Sequence, residues 1–355
     1  MADTTTYLSG GRIQGRSDDT LLTTISQTSW KQLDKVTLGS AGADLDTGTF
    51  AAKDNLMILA HLIPSTTCAC DLTFNADSGS NYAKRRSNNG STDSTSTSDS
   101  LVDLRYNSNE ETFIVINIRN IANKEKLCIA NLATISSGAG TPNRAEVVFK
   151  WANTSDQITR VNFNKGSSFV NYASGSEVVV LGCDDDEADS GTNFFEELTY
   201  KALTSSGELR TDTFTAKDYI LVQVLTKIST STASWGFNDD LSSSSGNYGG
   251  GGSANGGSAY NSSSTHSWFM GNADHTTWEY VSAYIVNKPT KNKLGLQFKT
   301  YGATGSGTAP SRIDFVGNWN NTSDQITRIK ITRNDSASLT CDADSNIRVW
   351  GGTPT

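Results

Sequence analysis

The amino-acid sequence predicts an all-β fold, with two tandem β-sandwich (jelly-roll-like) domains that arose from an internal duplication. Three observations lead to this prediction. The composition favours strands and turns, short apolar runs lie between turn residues, and blocks of sequence occur twice in the same order. The chain has 355 residues, whereas a domain usually takes roughly 100–200.

The duplication is the strongest of these signals. The eight-residue block NTSDQITR occurs twice, 168 residues apart, and other matched blocks keep the same order at offsets of 164 to 169. The repeat-equivalent structural residues are Trp151, Asn153 and Asp156 in the first copy and Trp319, Asn321 and Asp324 in the second. Asp beside Ser before a strand is typical of a turn held by side chains, so we expect a turn here with the two tryptophans half-buried beside it.

Strand-like runs recur at equivalent places in the two copies. The paired runs are 55–62 with 219–228, 113–118 with 280–285, 127–132 with 294–298, 145–151 with 313–319, and 157–163 with 325–331. The last pair alternates apolar and polar residues, as a half-buried strand does. Turn residues separate the runs, which predicts roughly eight to ten short strands in each copy.

These matches define the expected domain organisation. An N-terminal arm at 1–21 precedes a first sandwich at 22–183, and an acidic linker at 184–193 leads to a second sandwich at 194–355. The arm is either a disordered tail or an extended segment that orders against a neighbouring subunit.

The two copies differ most in one tract. The first copy has a run of Ser, Thr, Asn and Asp at 87–100, and the second has a longer run at 241–264 with four consecutive glycines. We expect both to be low-complexity loops, which is where a binding role would most easily lie. Exposed aromatic residues can stack on sugars. The candidate glycan-binding residues in and after the second tract are Tyr248, Tyr260, Trp268 and Trp278. The alternative is that Trp268, Phe269 and Trp278 begin strands and are buried.

Metal binding and catalysis have weaker signals. The candidate metal ligands are the acidic run Asp184, Asp185, Asp186 and Glu187, whose oxygens could hold Ca²⁺. The run lacks EF-hand spacing, so a solvated linker is the alternative interpretation. The chain has three His and five Cys, and no nucleophile elbow, P-loop, HExxH or dinucleotide fingerprint occurs. We therefore predict no enzyme activity, no cofactor and no structural metal.

Charge and hydropathy exclude further classes of partner. The net charge of −8 argues against nucleic-acid binding, which needs a basic face. No apolar run approaches the roughly 18 residues of a membrane span, and no polybasic patch suits a membrane surface. The first residues lack the charged and apolar regions of a standard signal peptide.

Several motifs carry a resemblance to a known class of proteins. They are LSGGRIQG from Leu8, FAAKDNL from Phe50, GSNYA from Gly79, WANTSDQITR from Trp151 and GSEVVVLG from Gly175. With these motifs the chain resembles structural proteins of marine viruses, chiefly tailed phages. The second copy departs from the pattern, because Gly246-Asn247-Tyr248 replaces the fuller GSNYA motif.

The resemblance implies a virion component without catalytic residues, made in the host cytoplasm. We expect a capsid surface, decoration or shell protein that assembles with other virion proteins and with copies of itself. The alternative is a carbohydrate-binding, lectin-like receptor-binding fibre, for which a glycan is the partner. The two hypotheses differ in one observable feature, namely whether the aromatics of the second copy are exposed on one face.

Overall fold

The computed structural model describes the chain in several stretches. The described residues are 30–64, 70–104, 110–135, 138–166, 171–184, 193–228, 233–241, 246–257, 259–265, 267–269, 277–301, 309–333 and 339–355. In these stretches no helix is long and apolar enough to cross a membrane. The predicted arm at 1–21 and residues 185–192 of the predicted linker lie outside them.

The first domain is a sandwich of two antiparallel sheets. Its strands are β1 (Lys31–Thr37), β2 (Asp44–Asp46), β3 (Asn55–Leu62), β4 (Asp71–Phe74), β5 (Tyr82–Asn88), β6 (Ser94–Asp99), β7 (Val102–Asp103), β8 (Glu111–Arg119), β9 (Lys126–Ile135), β10 (Asn143–Trp151), β11 (Val161–Asn164) and β12 (Glu177–Cys183). The large sheet has the order β1-β12-β3-β8-β9-β10-β5-β6, and the small sheet has the order β2-β11-β4-β7. The first strand thus pairs with the last, and the second with the next to last.

The second domain repeats this architecture. Its strands are β13 (Glu196–Ala202), β14 (Tyr219–Thr226), β15 (Ala233–Phe237), β16 (Tyr248–Ala254), β17 (Tyr260–Thr265), β18 (Trp268–Phe269), β19 (Glu279–Val286), β20 (Lys293–Tyr301), β21 (Ser311–Trp319), β22 (Ile329–Arg333) and β23 (Asn346–Gly352). The large sheet runs β13-β23-β14-β19-β20-β21-β16-β17, which matches the first domain strand for strand. In the small sheet, β18-β15-β22, the counterpart of β2 is reduced to a single bridge between Arg210 and Lys330. The prediction of an all-β fold with two tandem jelly-roll-like sandwiches from a duplication is therefore confirmed.

Each sandwich has a core between its large and small sheets. Alternate residues of the strands point into it, as the two-residue period of a strand requires. Trp151 and Trp319 lie in the two cores with 1% and 0% of their surface exposed. The prediction that they are half-buried is wrong, because each packs against a phenylalanine of the small sheet, Phe74 or Phe237.

The divergent tracts at 87–100 and 241–264 are not simply loops, as the sequence predicted. Much of each tract belongs to an edge hairpin of the large sheet, β5–β6 in the first domain and β16–β17 in the second. Polar or glycine-rich sequence can form these strands because the pairing uses the backbone. In β16 the glycines also make room, since a Cβ on Gly250 would lie 2.1 Å from the Phe315 ring.

The predicted strands 157–163 and 325–331 begin later than expected, at Val161 and Ile329. Asparagine side chains bind the backbone just before them. Asn120 Oδ1 accepts a hydrogen bond from the Ile158 amide at 2.7 Å, and Asn287 Oδ1 accepts one from the Ile326 amide at 2.6 Å. These side chains satisfy backbone groups that a neighbouring strand would otherwise pair, so the ladder starts only after them.

Candidate functional site

The two domains pack through the outer faces of their large sheets. This contact, the domain interface, forms a third apolar cluster of its own. The buried residues from the first domain are Trp30, Met57, Leu59, Phe113, Val115, Ala133, Ile135, Val179, Leu181 and Cys183, and those from the second are Phe194, Phe195, Tyr219, Val286, Leu294, Leu296, Val316 and Trp350. Both faces of the central strands are thus covered, which is why β12 is buried along its whole length.

The strand registers show which residues of the two outer faces are equivalent. Ile129 lies opposite Val148 in the first domain, and Leu296 lies opposite Val316 in the second. Leu127 and Leu294 each lie two residues earlier on the same strand, β9 or β20. One apolar triad, formed by a Leu, an Ile or Leu, and a Val, therefore occurs at the same place in both large sheets.

The two triads have opposite environments. In the second domain Leu294, Leu296 and Val316 are 0%, 2% and 3% exposed, because the first domain covers them. In the first domain Leu127, Ile129 and Val148 are 61%, 56% and 49% exposed. Exposed leucine, isoleucine and valine at neighbouring positions are unusual on a surface, and a contiguous patch of this kind points to an interaction site.

The exposed triad lies in a groove on the first domain. The groove has a volume of about 850 Å³, and its lining contains Leu127, Ile129 and Val148. Its lining also includes Trp30, where the described chain begins, and Arg85 of the edge hairpin. We call this feature the apolar groove. A concave and mainly apolar surface with a few polar groups at its rim is suited to binding a partner.

A second exposed patch lies on the outer face of the second domain. Its members, which we call the distal patch, are Tyr200, Leu225, Trp278 and Tyr280, each 39% to 46% exposed. Leu225 lies opposite Tyr280, whose hydroxyl accepts a hydrogen bond from Gln223 Nε2 at 3.1 Å. Among the described residues, the large exposed hydrophobic side chains all belong either to the apolar groove or to the distal patch.

Two members of the distal patch, Leu225 and Tyr280, have buried counterparts in the first domain, and one of these, Phe113, belongs to the domain interface. His61 and Phe113 face each other in the first domain as Leu225 and Tyr280 do in the second. Both His61 and Phe113 are buried, at 0% and 1% exposure, and His61 Nε2 lies 2.6 Å from Glu111 Oε1. The domain interface therefore contacts one part of the outer face in the first domain and a different part of the equivalent face in the second.

Polar contacts enclose the domain interface. The Lys288 ammonium of the second domain lies 2.6 Å from Glu177 of the first, and the Tyr219 hydroxyl donates a hydrogen bond to the same carboxylate at 2.8 Å. Burial raises the pKa of Glu177, but the charge and hydrogen bond of Lys288, with bonds from Thr37 and Tyr219, outweigh it and leave that pKa below its usual value. Burial beside the Glu177 charge raises the pKa of Tyr219. This pair links the domains in a fixed orientation.

The loop at 138–142 of the first domain contacts the second domain at its glycine-rich strand β16 and at the adjacent strands. Asn318 Nδ2 donates to the Gly138 carbonyl at 2.8 Å, and the Thr141 hydroxyl donates to the Ser262 carbonyl at 3.0 Å. A Cβ on Gly249 would lie 2.0 Å from the Gly140 oxygen. The glycines in the divergent tract therefore allow the two domains to approach closely.

The repeated block has the same structural role in both domains. Asn153 Oδ1 accepts hydrogen bonds from the Ser155 and Asp156 amides at 2.7 and 2.9 Å, and Asn321 Oδ1 does the same for Ser323 and Asp324. The adjacent tryptophan indoles also have equivalent partners. Trp151 Nε1 donates to Asp77 at 2.6 Å, and Trp319 Nε1 donates to Asp240 at 2.7 Å. These residues hold equivalent turns in the two domains.

The candidate glycan-binding aromatics do not form one exposed face. Tyr248 and Trp268 are buried in the core of the second domain, where both rings pack against Phe237. Tyr260 is half-buried beside Phe315 on the edge hairpin, and Trp278 belongs to the distal patch. Trp268 is therefore buried, as the alternative interpretation has it, whereas Trp278 is exposed; strand alternation turns Tyr248 and Trp268 inward.

The acidic run contributes one described residue. Asp184 accepts hydrogen bonds from Lys53 Nζ at 2.8 Å and from the Asp54 amide at 3.1 Å. Asp185, Asp186 and Glu187 lie outside the described residues. In the part of the chain that the structure describes, no group of three or more His, Cys, Asp and Glu side chains could hold a metal ion.

The sequence pattern did not reveal the apolar groove. The triad in it, Leu127, Ile129 and Val148, lies in the runs 127–132 and 145–151, which were predicted as strands. A run that is apolar on both faces indicates a strand covered on both sides. The two copies have the same apolar pattern in these strands. Only the arrangement of the domains shows that the outer face is exposed in the first copy.

The comparisons with known proteins identify no family for this chain. No protein-family model matches it, and no curated protein matches it. Among solved structures, the mouse laminin alpha1 chain, domains LG4-5, is similar over 90% of this chain and 89% of that chain, at 8% sequence identity and a TM-score of 0.19. A likeness this distant carries no argument about function.

Proposed function

We propose that this chain is a structural protein of a virus particle. It is a capsid surface, decoration or shell component, present in the virion, that works by protein–protein assembly. The observation that carries the proposal is the apolar groove, in which Leu127, Ile129 and Val148 are about half exposed or more while their counterparts are buried in the domain interface.

Physical chemistry supports a protein partner for this groove. Covering a half-exposed aliphatic side chain contributes roughly 1 kcal/mol, so three neighbouring ones give a useful but reversible contact. The second domain supplies direct support, because the equivalent triad there is covered by a β-sheet. An open, mainly apolar face with aliphatic side chains is better suited to another protein surface than to a small polar ligand.

The sequence motifs add the type of assembly. The resemblance to structural proteins of tailed phages covers nearly the whole chain and brings no catalytic residues. The burial of Tyr248 and Trp268 removes the observation that favoured a lectin-like fibre. A virion structural role is therefore the function that accounts for both the motifs and the exposed faces.

Incorporation into particles tests this proposal. Host cells that produce the virus would carry either the tagged chain or its Ile129→Asp variant, and purified particles would be analysed by quantitative mass spectrometry and by cryo-electron microscopy. We expect the chain at a stoichiometric copy number, and at least about tenfold less of the variant. The control is Ser91→Asp, an exposed loop position that lies away from the groove. If the tagged chain is absent from purified particles, the proposed function is wrong.

A further inference from the structure

We propose that copies of this chain bind each other head to tail, with the apolar groove of one copy seated on the distal patch of the next. The inference rests on the proposed function and names the partner of the groove as a second copy of the chain. The partner is identified from the domain interface, in which the equivalent face of the second domain is covered by the first domain.

The first step is that the domain interface is heterologous. The second domain contributes Leu296 and Val316, whereas the first domain contributes Leu59 and Phe113 from a different part of the equivalent sheet. A contact between non-equivalent surfaces of two similar units uses one surface of each unit. Most of the complementary surface on each unit is then left open, although Trp350, at the place of Leu181, is buried in the same interface.

The second step is that both unused surfaces are the exposed apolar ones. The first domain leaves open the groove, whose counterpart is the face that the second domain buries. The second domain leaves open the distal patch, where Leu225 and Tyr280 stand in the places of His61 and Phe113. A second copy that presents its groove to this patch repeats the contact already made within one chain.

The third step is that the contact between copies differs in detail from the one within a chain. At the edge hairpin, Ala83 and Arg85 occupy the places of Gly249 and Gly251, so the loop that approaches those glycines cannot approach as closely. Beside the distal patch, Gln223 takes the place of Leu59. The contact between copies is therefore more polar and weaker, and it forms reversibly with concentration.

Two single-face variants test this arrangement. Ile129→Asp disables the groove, and Leu225→Asp disables the distal patch, while both positions are exposed enough to accept a charge without unfolding. Sedimentation velocity over a concentration series would follow the full-length chain. We expect the unmodified chain to form an open series of species, and each variant to raise the dissociation constant by at least about tenfold.

Mixing the two variants gives the most specific result. The Ile129→Asp chain keeps its distal patch and the Leu225→Asp chain keeps its groove, so an equimolar mixture forms a 1:1 heterodimer and nothing larger. Ser91→Asp and Ser205→Asp, at exposed loop positions in the two domains, should associate like the unmodified chain. Circular dichroism and thermal melting would verify the fold, and Ile129→Thr and Leu225→Thr would replace any variant that fails to fold.

Three outcomes would overturn the inference. The first is an unmodified chain that is monomeric at every concentration. The second is a Leu225→Asp chain that associates by itself, which indicates a groove-to-groove contact. The third is a cross-link from a photoreactive residue at position 129 to peptides of residues 1–29 in the same chain, which makes that segment the occupant. The expected cross-link joins position 129 to peptides around Tyr280 of another copy.

The two proposals can fail separately. A monomeric chain that is still incorporated into particles would reject head-to-tail binding and leave the virion role standing. A chain that forms the predicted heterodimer but never enters a particle would reject the virion role and leave head-to-tail binding standing.

Discussion

The outer faces of the two large sheets have the same apolar triad, but only one of the two triads is buried. Leu294 and Leu296 lie in the domain interface, whereas Leu127 and Ile129, at the same places in the duplicated fold, are among the most exposed aliphatic side chains described. The difference shows that burial here is decided by how the domains are arranged and not by the local sequence. A heterologous contact between two similar units necessarily leaves one copy of each surface open.

The edge hairpins show the opposite relation, in which the sequences differ because the environments differ. Gly249 and Gly251 of β16 lie against the loop at 138–142, and a Cβ at Gly249 would contact the Gly140 oxygen. In β5 the corresponding residues are Ala83 and Arg85, which lie on the side of the groove. The glycines of β16 thus distinguish the hairpin that packs against the other domain from the hairpin that does not.

The largest expected effect comes from a matched pair of charge substitutions in the triads. Val316→Asp places a carboxylate in the domain interface and should lower the free energy of unfolding by at least about 4 kcal/mol, because the charge is buried without a partner. Val148→Asp, at the equivalent exposed position, should change it by less than about 1 kcal/mol. Urea unfolding monitored by tryptophan fluorescence measures both.

Equal destabilisation by Val316→Asp and Val148→Asp would contradict the comparison. It would mean that the groove is covered in the isolated chain, or that the domain interface does not form. A control at Ser91, which is exposed and outside both surfaces, should leave the unfolding transition unchanged when replaced by Asp.

The next largest effect concerns the ion pair across the domain interface. Lys288→Ala leaves the Glu177 carboxylate buried without its main partner, so we expect a loss of about 3 kcal/mol. Lys227→Ala removes a pair to Asp342 in which both side chains are about a third exposed, and should cost less than about 1 kcal/mol. Thermal and denaturant unfolding of both variants provides the measurement.

The same pair gives a pH dependence with a definite sign. The pKa of Glu177 is lower in the folded protein than its ordinary value of 4.5. Its stabilising contribution is therefore complete above pH 4.5 and is lost as the pH falls through the lower, folded-state pKa. The Glu177→Gln variant should show a weaker loss of stability below pH 4.5 than the unmodified chain. A loss just as steep would place the responsible carboxylate elsewhere.

The sequence allowed the scaffold to be predicted but not the contact between its two halves. The block from Trp151 to Arg160 and its copy revealed the duplication, because matched blocks in the same order can be recognised without knowing the fold. The two-residue alternation of apolar and polar residues predicted most strands, because side chains alternate between the two faces of a sheet.

The errors have physical causes that a sequence pattern does not reveal. Tyr248 was a candidate glycan-binding residue, but its hydroxyl donates to the Asp240 carbonyl and its ring lies in the core. The glycine run was interpreted as a loop, although its pairing with β21 depends on backbone groups that every residue has. The groove exists because the two domains contact each other through different parts of their outer sheet faces. The apolar sequence pattern of these faces is the same in both domains, so it does not predict which part stays exposed.

A smaller effect is expected where the second domain receives the loop of the first. Gly249→Ala should destabilise the protein by about 2 kcal/mol, because the new methyl group would force the Gly140 backbone away. Gly39→Ala is the matched control, since a Cβ there meets nothing within 4 Å. If Gly249→Ala is neutral in chemical denaturation, the close approach of the two backbones is absent in solution.

The smallest expected effect tests the part of the molecule in which the two domains are the same. Asn153→Ala removes the acceptor for two backbone amides in the turn after Trp151, and Asn321→Ala does the same after Trp319. Both turns are exposed, so water can replace part of the lost bonding, and each change should cost about 1 kcal/mol. Asn153 and Asn321 lie in different domains and share no partner, so the double variant should lose the sum of the two single effects. Denaturant unfolding of the three variants provides the measurement. Unequal single effects would show that the domain interface reaches these turns, whereas equal and additive effects would confine the asymmetry of the two copies to their outer faces.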